Sequence, residues 1–241
     1  MDKVITVENL CKKYSNGRGI ENVSFSVEKG EIFGFLGPNG AGKTTAMKIM
    51  TGLSRADSGT VYINGYSVAD EYEKAMDKTG AIIEAVAPYP YLTAYENMKI
   101  NARFHKGVND AQIFECLNKT GIYSFRNEKA KGFSLGMKQR LGIAMAILSN
   151  PSVLILDEPL NGLDVEGMVE MRNLIQSMSE KFETTFLISS HLIHDVELTC
   201  TKIGILLNGK MVRVDTTENI LQNYSSLENY YLSEVNLNGA V

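Results

Sequence analysis

The sequence predicts an α/β fold built around a mostly parallel sheet, and three observations carry that expectation. Glu31-Ile32-Phe33-Gly34-Phe35-Leu36 reads as a buried strand, Gly37 to Thr44 as a glycine-rich loop, and Ala46-Met47-Lys48-Ile49-Met50 as a helix stopped by Gly52. Val153-Leu154-Ile155-Leu156 is an apolar run with no alternation, as expected of a strand covered on both faces in a parallel sheet. Segments 80–84 and 184–189 are apolar strands of the same kind.

The loop Gly37-Pro38-Asn39-Gly40-Ala41-Gly42-Lys43-Thr44 fits G-x-x-x-x-G-K-[ST] at every fixed position. Strand, loop and helix in that order make it a phosphate site. The glycines let successive backbone N–H groups turn inward, and the helix N-terminus adds unpaired donors and a partial positive charge. In such a loop Lys43 reaches β- and γ-phosphate oxygens and Thr44 holds Mg2+. The competing reading is a tight strand-to-helix turn with no ligand.

The chain has 241 residues, enough for one large domain with a substantial core. Its 24 basic and 28 acidic residues give a net charge of −4, which argues against nonspecific nucleic-acid binding. No apolar run approaches the ~18 residues of a membrane span, and Met1-Asp2-Lys3-Val4 opens no signal-peptide apolar region. Cys11, Cys116 and Cys200 are widely separated and read as free thiols. These features predict a cytosolic chain.

Residues 4–10 and 20–27 read as short strands, with a loop between them that carries Tyr14. An exposed aromatic there can stack on a base or cover a sheet edge. Gly59 to Gly65 is a strand ending in an Asn-Gly turn. The strand Gly80-Ala81-Ile82-Ile83 delivers Glu84 to its C-terminal end, where ligands of open α/β sheets gather. From 85 the pattern changes to helices joined by short loops, and a helical insert is expected over about 85–150. Ser134 is a natural N-cap for a helix with a core stripe of Met137, Leu141, Met145 and Leu148. Ser134 and Gly136 mark either that cap alone or a second phosphate site.

Asp157 and Glu158 end the apolar strand at 153–156. Two adjacent acids there are either a solvated capping pair or partners of a cation. Mg2+ held by the glycine loop would be that cation, with Asp157 as ligand. By strand alternation Glu158 points the other way and can orient or deprotonate an attacking water. Asp164 is expected to cap a helix running to about 180, and His191 follows the strand at 184–189. A histidine is commonly structural, but this strand-end position also suits a γ-phosphate contact. Residues 203–207, Asn208-Gly209 and 211–214 form a hairpin pattern, and the last two dozen residues read as one short polar helix with Tyr224, Tyr230 and Tyr231.

In this order the pieces resemble the nucleotide-binding subunit of an ATP-binding cassette (ABC) transporter, from Val4 to about Asp215. The resemblance implies a RecA-like P-loop NTPase core with an antiparallel β-subdomain and an inserted α-helical subdomain. It implies one ATP-binding domain over 1–218, followed by a short C-terminal tail at 219–241. It also implies ATP and Mg2+ as cofactors. Tyr14 would stack on adenine, and residues 37–44 with Thr45 would hold the phosphates. Thr44, Asp157 and Glu84 would face the metal. Glu158 would be the general base, and His191 would sense the γ-phosphate. Two copies would pair head to tail, so that Ser134 and Gly136 of one complete the site of the other and Asp164 links the two sites. The implied partners are separately encoded transmembrane permease subunits and no nucleic acid. That places the chain in the cytoplasm, peripheral on the inner face of the cell membrane.

Two positions depart from the family pattern. The signature segment reads Phe133-Ser134-Leu135-Gly136-Met137 where the family has L-S-G-G-Q. Glu84 stands where glutamine is usual. That glutamate, with Pro90-Tyr91-Leu92-Thr93-Ala94-Tyr95-Glu96-Asn97, is similar to the bacitracin-resistance and lantibiotic-immunity exporter branch. The implied function is an ATPase subunit powering export of, or self-protection against, antimicrobial peptides. The alternative is a soluble ATPase of the same class, for example in iron–sulfur assembly. Glu84 also places a third carboxylate near Asp157 and Glu158, where a like charge raises the pKa of its neighbours.

Overall fold

The computed structural model describes residues 2–237. Two sheets share the first half of the chain. The smaller is antiparallel, in the order β2 (Gly19–Glu28), β1 (Lys3–Lys13), β4 (Ser58–Ile63), β5 (Tyr66–Ser67). Its first two strands are longer than expected, because a bulged ladder carries the pairing on to Lys13 opposite Gly19. The larger sheet runs β10 (Lys210–Thr216), β9 (Lys202–Leu207), β3 (Ile32–Leu36), β8 (Thr185–Ser190), β7 (Val153–Leu156), β6 (Thr79–Ile82). Only β10 is antiparallel. Both Asn-Gly turns hold two successive positive φ angles, 52° and 82° at Asn64-Gly65 and 48° and 80° at Asn208-Gly209. That is the backbone a two-residue hairpin needs, and asparagine and glycine tolerate it.

The larger sheet is buried on both faces, and the pleat sorts its residues between two cores. Phe33 and Phe35 of β3, Val153 and Ile155 of β7 and Leu187 of β8 face the antiparallel sheet and α1 (Lys43–Met50). Phe25 stacks on Phe33 across that gap, with ring centroids 5.0 Å apart. Ile32, Leu36, Leu154, Leu156, Phe186 and Ile188 face the helical side. There they meet α5 (Leu135–Ala146), α6 (Val165–Phe182) and α7 (Ile193–Thr199). Phe33 is fully buried, so Phe33→Ala is expected to cost about 3–5 kcal/mol, the range for a deleted core aromatic. Guanidinium unfolding checks this, as a lower midpoint at unchanged slope.

The short α2 (Tyr72–Asp77) precedes β6. The expected helical insert then lies between β6 and β7. It consists of α3 (Ala94–Ala102), α4 (Asp110–Lys119) and α5, with two single 3₁₀ turns between the last two. Capping boxes start the first two helices, Thr93 with Glu96 and Asn109 with Gln112. The predicted α5 stripe holds, with Leu141 and Leu148 buried and Met137 and Met145 half-buried on the same core.

The C-terminal reading needs correction. In place of one short polar helix there are two, α8 (Thr217–Asn223) and α9 (Leu227–Leu237). Ile220, Leu227 and Tyr230 are buried in the main core, and the Leu227 N–H donates to Glu197 Oε2 of α7 at 2.6 Å. Three apolar contacts spaced over two short helices leave too weak a periodicity to read from sequence. The tail boundary predicted at 218 falls inside α8, and residues 238–241 lie outside the described residues.

Candidate functional site: a glycine loop, two acids and a histidine at one sheet edge

Parallel strands put the ends of β3, β6, β7 and β8 on one edge of the sheet. The residues that follow those ends are the glycine loop, Glu84, Asp157-Glu158 and His191. Four predicted segments thus meet through topology alone.

After β3, residues Pro38, Asn39 and Gly40 arch outward and exposed, while Gly37, Ala41 and Lys43 are buried. Gly42 is the N-cap of α1 with φ 107°, and no side chain caps that helix. A Cβ on Gly42 would lie 2.5 Å from Ile20 Cγ2, so both its conformation and its packing require glycine. The first-turn N–H groups of α1 are therefore aimed into the loop with no side-chain acceptor, as an anion site requires. The hollow is lined by residues 38–45, Glu158, Arg18 and Gly19.

The Lys43 ammonium, 5% exposed, donates to Gly37 O at 2.6 Å and to Pro38 O at 3.3 Å. It also lies 3.4 Å from Glu158 Oε1. Thr44 Oγ1 donates to Asp157 Oδ2 at 2.9 Å. A hydroxyl beside a buried carboxylate is a hard-oxygen donor set that fits Mg2+, which keeps several waters and takes few protein ligands.

Alternation predicted that Glu158 points away from Asp157, and the structure differs. The strand ends at Leu156, and Glu158 takes a left-handed φ of 50°. That turn brings its carboxylate back to Lys43 and places Oε2 2.8 Å from His191 Nδ1. A left-handed φ at a non-glycine residue costs of order 1–3 kcal/mol and tends to be held at functional sites. Ser189, not anticipated from sequence, helps hold it. Its Oγ accepts the Glu158 N–H at 2.9 Å and donates to Asp157 Oδ1 at 2.5 Å.

Glu84 follows β6, also with positive φ, at 67°. Its Oε1 accepts from Lys48 Nζ at 2.5 Å, and its side chain remains 63% exposed. The structure thus pairs Glu84 with Lys48, whereas Thr44 and Asp157, expected to face the metal with it, bond to each other. The hydrogen bond from Lys48 to Glu84 holds that ammonium above the ordinary lysine range, with smaller pulls from Tyr14 and Asp157. Lys48 was missed because one lysine on an amphipathic helix gives no signal.

Tyr14 is exposed on its loop. The Lys12 ammonium is 5.8 Å from its ring centroid. It does not line the phosphate hollow, whereas Arg18 of the same loop and Gly19 at the start of β2 do. Ser134, Gly136 and Asp164 lie elsewhere. They line a second hollow, with Arg140 and Glu170. Ser134 accepts the Met137 N–H at 3.2 Å and Asp164 accepts the Gly167 N–H at 2.9 Å, so both cap helices as expected. One chain therefore carries two separate groups of predicted site residues.

The comparisons agree with this geometry. A family model described as ABC transporter matches residues 20–161. The bacitracin transport ATP-binding protein BcrA of Enterococcus faecalis is 41% identical over 212 residues, covering 88% of this chain and 69% of that protein. The lantibiotic transport ATP-binding protein SrtF of Streptococcus pyogenes is 40% identical over 220 residues, covering 90% and 94%. Among solved structures, an ATP binding subunit of an ABC transporter superposes with a TM-score of 0.83 at 29% identity, covering 96% of this chain and 99% of that one. A dimeric ATP-binding cassette in a post-hydrolysis state bound to ADP and Pi gives 0.78 at 26%, covering 88% and 98%. No helix among the described residues is long and apolar enough to cross a membrane. By its motifs, its fold and these relatives, the chain belongs to the ABC transporter family, as the ATP-hydrolysing subunit that powers transport.

Proposed function

We propose that this subunit drives export of, or self-protection against, antimicrobial peptides, as a head-to-tail homodimer seated on separately encoded permease subunits at the inner face of the cell membrane. The observation that carries the substrate class is the kinship with bacitracin and lantibiotic transport proteins at about 40% identity over roughly nine-tenths of the chain. Removing the subunit is expected to lower the minimum inhibitory concentration of bacitracin or of a lantibiotic. The wild-type chain restores it and the Lys43→Ala chain does not. Unchanged sensitivity to both peptide classes would overturn the substrate assignment.

The separation of the two residue groups supports the paired arrangement. Ser134 and Gly136 sit at a helix N-terminus away from their own glycine loop. Inverted pairing lays that N-terminus over the γ-phosphate held by the partner's loop. The backbone donors of residues 40–44 and the Lys43 ammonium then hold the triphosphate from one side, and Ser134 and Gly136 hold it from the other. Tyr14 stacks on the adenine. Thr44 and Asp157 would hold Mg2+, which would supply charge neutralisation to the triphosphate.

In the hydrolytic step Glu158 orients a water in line with the β–γ bridge and accepts its proton. The water oxygen bonds to the γ-phosphorus, and the bond to the bridging oxygen breaks to leave ADP and phosphate. His191, hydrogen-bonded to Glu158, keeps that carboxylate aimed. Loss of the γ-phosphate removes the contacts that favour the closed pair, and the pair opens.

Glu84 lies where the nucleotide site meets the insert. It adjoins a hollow lined by residues 79–83, 85–88, Asn101, His105 and α5, with Tyr91 and Phe104 exposed nearby in the chain. We assign that face to the permease. Glu84→Gln removes an exposed ion pair, so its stability cost is expected to stay below ~1 kcal/mol. ATPase activity of the isolated chain is expected to stay close to wild type. Permease-stimulated ATPase and peptide resistance are expected to fall. If all of these match wild type, the coupling role of Glu84 is wrong.

A further inference from the structure

Ser189 is the residue this site uses that no motif marks. It is fully buried at the penultimate position of β8. Every described neighbour on that strand except the terminal Ser190 and the edge Thr185 is apolar. The register explains its placement. β7 and β8 run parallel with Leu156 opposite Ile188, so the next pair along is Asp157 and Ser189. Pleat alternation puts Leu187 and Ser189 on the face toward α1 and the glycine loop, the face that Val153 and Ile155 share with Asp157.

One hydroxyl there does two jobs. As donor it holds Asp157 Oδ1 at 2.5 Å. As acceptor it takes the Glu158 N–H at 2.9 Å. A serine hydroxyl has one proton and two lone pairs, so both bonds can form together. Thr44 donates to the other oxygen of the same carboxylate at 2.9 Å, so each Asp157 oxygen is held by one hydroxyl. The Glu158 amide lies two residues past the end of the strand, at the residue with the left-handed φ. With that N–H anchored, the turn that swings the Glu158 carboxylate toward Lys43 and His191 has a fixed origin.

We propose that Ser189 is a positioning residue that ties the metal-side carboxylate to the general base. It fixes the orientation of Asp157 and the backbone turn of Glu158 through one shared hydroxyl. A shift of Asp157 toward or away from Mg2+ is then transmitted to the base through two hydrogen bonds. The inference rests on the reading of Asp157 as metal-side ligand and Glu158 as base.

The test compares Ser189→Ala and Ser189→Thr with Asp157→Asn and Glu158→Gln in the full chain. ATP binding is measured in EDTA and again with Mn2+ in place of Mg2+, together with steady-state ATPase against Mg2+ concentration and the thermal midpoint. For Ser189→Ala the expected result is a kcat lower by about 10–100-fold, the scale of a lost positioning contact. ATP affinity in EDTA is expected to be unchanged, and the Mn2+-dependent gain in affinity reduced. Ser189→Thr keeps the hydroxyl and is expected to recover most of both losses. Wild-type kcat and metal dependence in Ser189→Ala would overturn the proposal. So would losses that track a fall in thermal midpoint and in metal-free ATP affinity, because these mark a packing role. If Asp157→Asn and Glu158→Gln leave kcat and metal dependence intact, the underlying assignment fails first, which separates the two failures.

Discussion

Lys43→Ala is expected to remove measurable nucleotide binding while leaving the fold intact. The ammonium is the one side-chain cation buried inside the loop among the described residues. It already satisfies Gly37 O and Pro38 O and faces Glu158. Toward a triphosphate it supplies charge-assisted bonds, each worth about 1.5–3 kcal/mol. Losing two of them lowers affinity by at least about 100-fold, at roughly 1.4 kcal/mol per tenfold. Alanine also leaves the Glu158 carboxylate without its cation, which adds repulsion toward the phosphates. Titration with a fluorescent ATP analogue reads the affinity, and far-UV circular dichroism reads the fold. Retained affinity with native ellipticity would remove the anchor of the phosphate-site assignment.

Glu158→Gln is expected to separate binding from turnover. The amide keeps the size of the side chain and can still meet His191 and Lys43, but it cannot accept the water proton. General-base loss is worth about 10²–10⁴-fold in rate, so ATP binds and is not consumed. The closed pair then accumulates, because the contacts that hold it are lost only with the γ-phosphate. Size exclusion with Mg-ATP is expected to show a dimer for this variant and a monomer for Lys43→Ala. A Glu158→Gln chain that turns ATP over at the wild-type rate is not missing its base. One that binds ATP and stays monomeric at micromolar concentration contradicts the shared two-copy site.

The glycine loop, the two acids, Glu84 and His191 were legible as strand-end residues because the strands carrying them are short, apolar and bounded by turns. That they meet follows from a parallel sheet, which brings all those ends to one edge. Ser189 was not legible, since its meaning comes from register: it matters only because Leu156 pairs with Ile188 and thereby sets Ser189 beside Asp157. The side to which Glu158 turns was misread for a local reason. Alternation holds within a strand, and this one stops at Leu156, two residues before the backbone goes left-handed at Glu158. Helices α8 and α9 were read as a single polar segment because their buried residues number only a few. Their value to the core lies in packing that includes α7, whose Glu197 lies 30 residues before Leu227 in the chain.

The burial of the thiols bears on how the chain can be probed. Burial pushes the Cys116 thiol up to about 11 and raises that of Cys200 further. Both stay protonated through neutral pH, and the partly exposed Cys11 is the natural labelling site for following closure.

If ATP turnover in this chain is harnessed by a membrane permease, the two copurify. The most direct measurement is to purify the tagged Glu158→Gln chain from native membranes in mild detergent with Mg-ATP, and to identify by mass every protein that copurifies. The expected result is one or two polytopic membrane proteins in stoichiometric amount, lost when the Glu84 face is blocked. Recovery of soluble partners alone would contradict it, leaving the ATP chemistry in place and assigning it to different work.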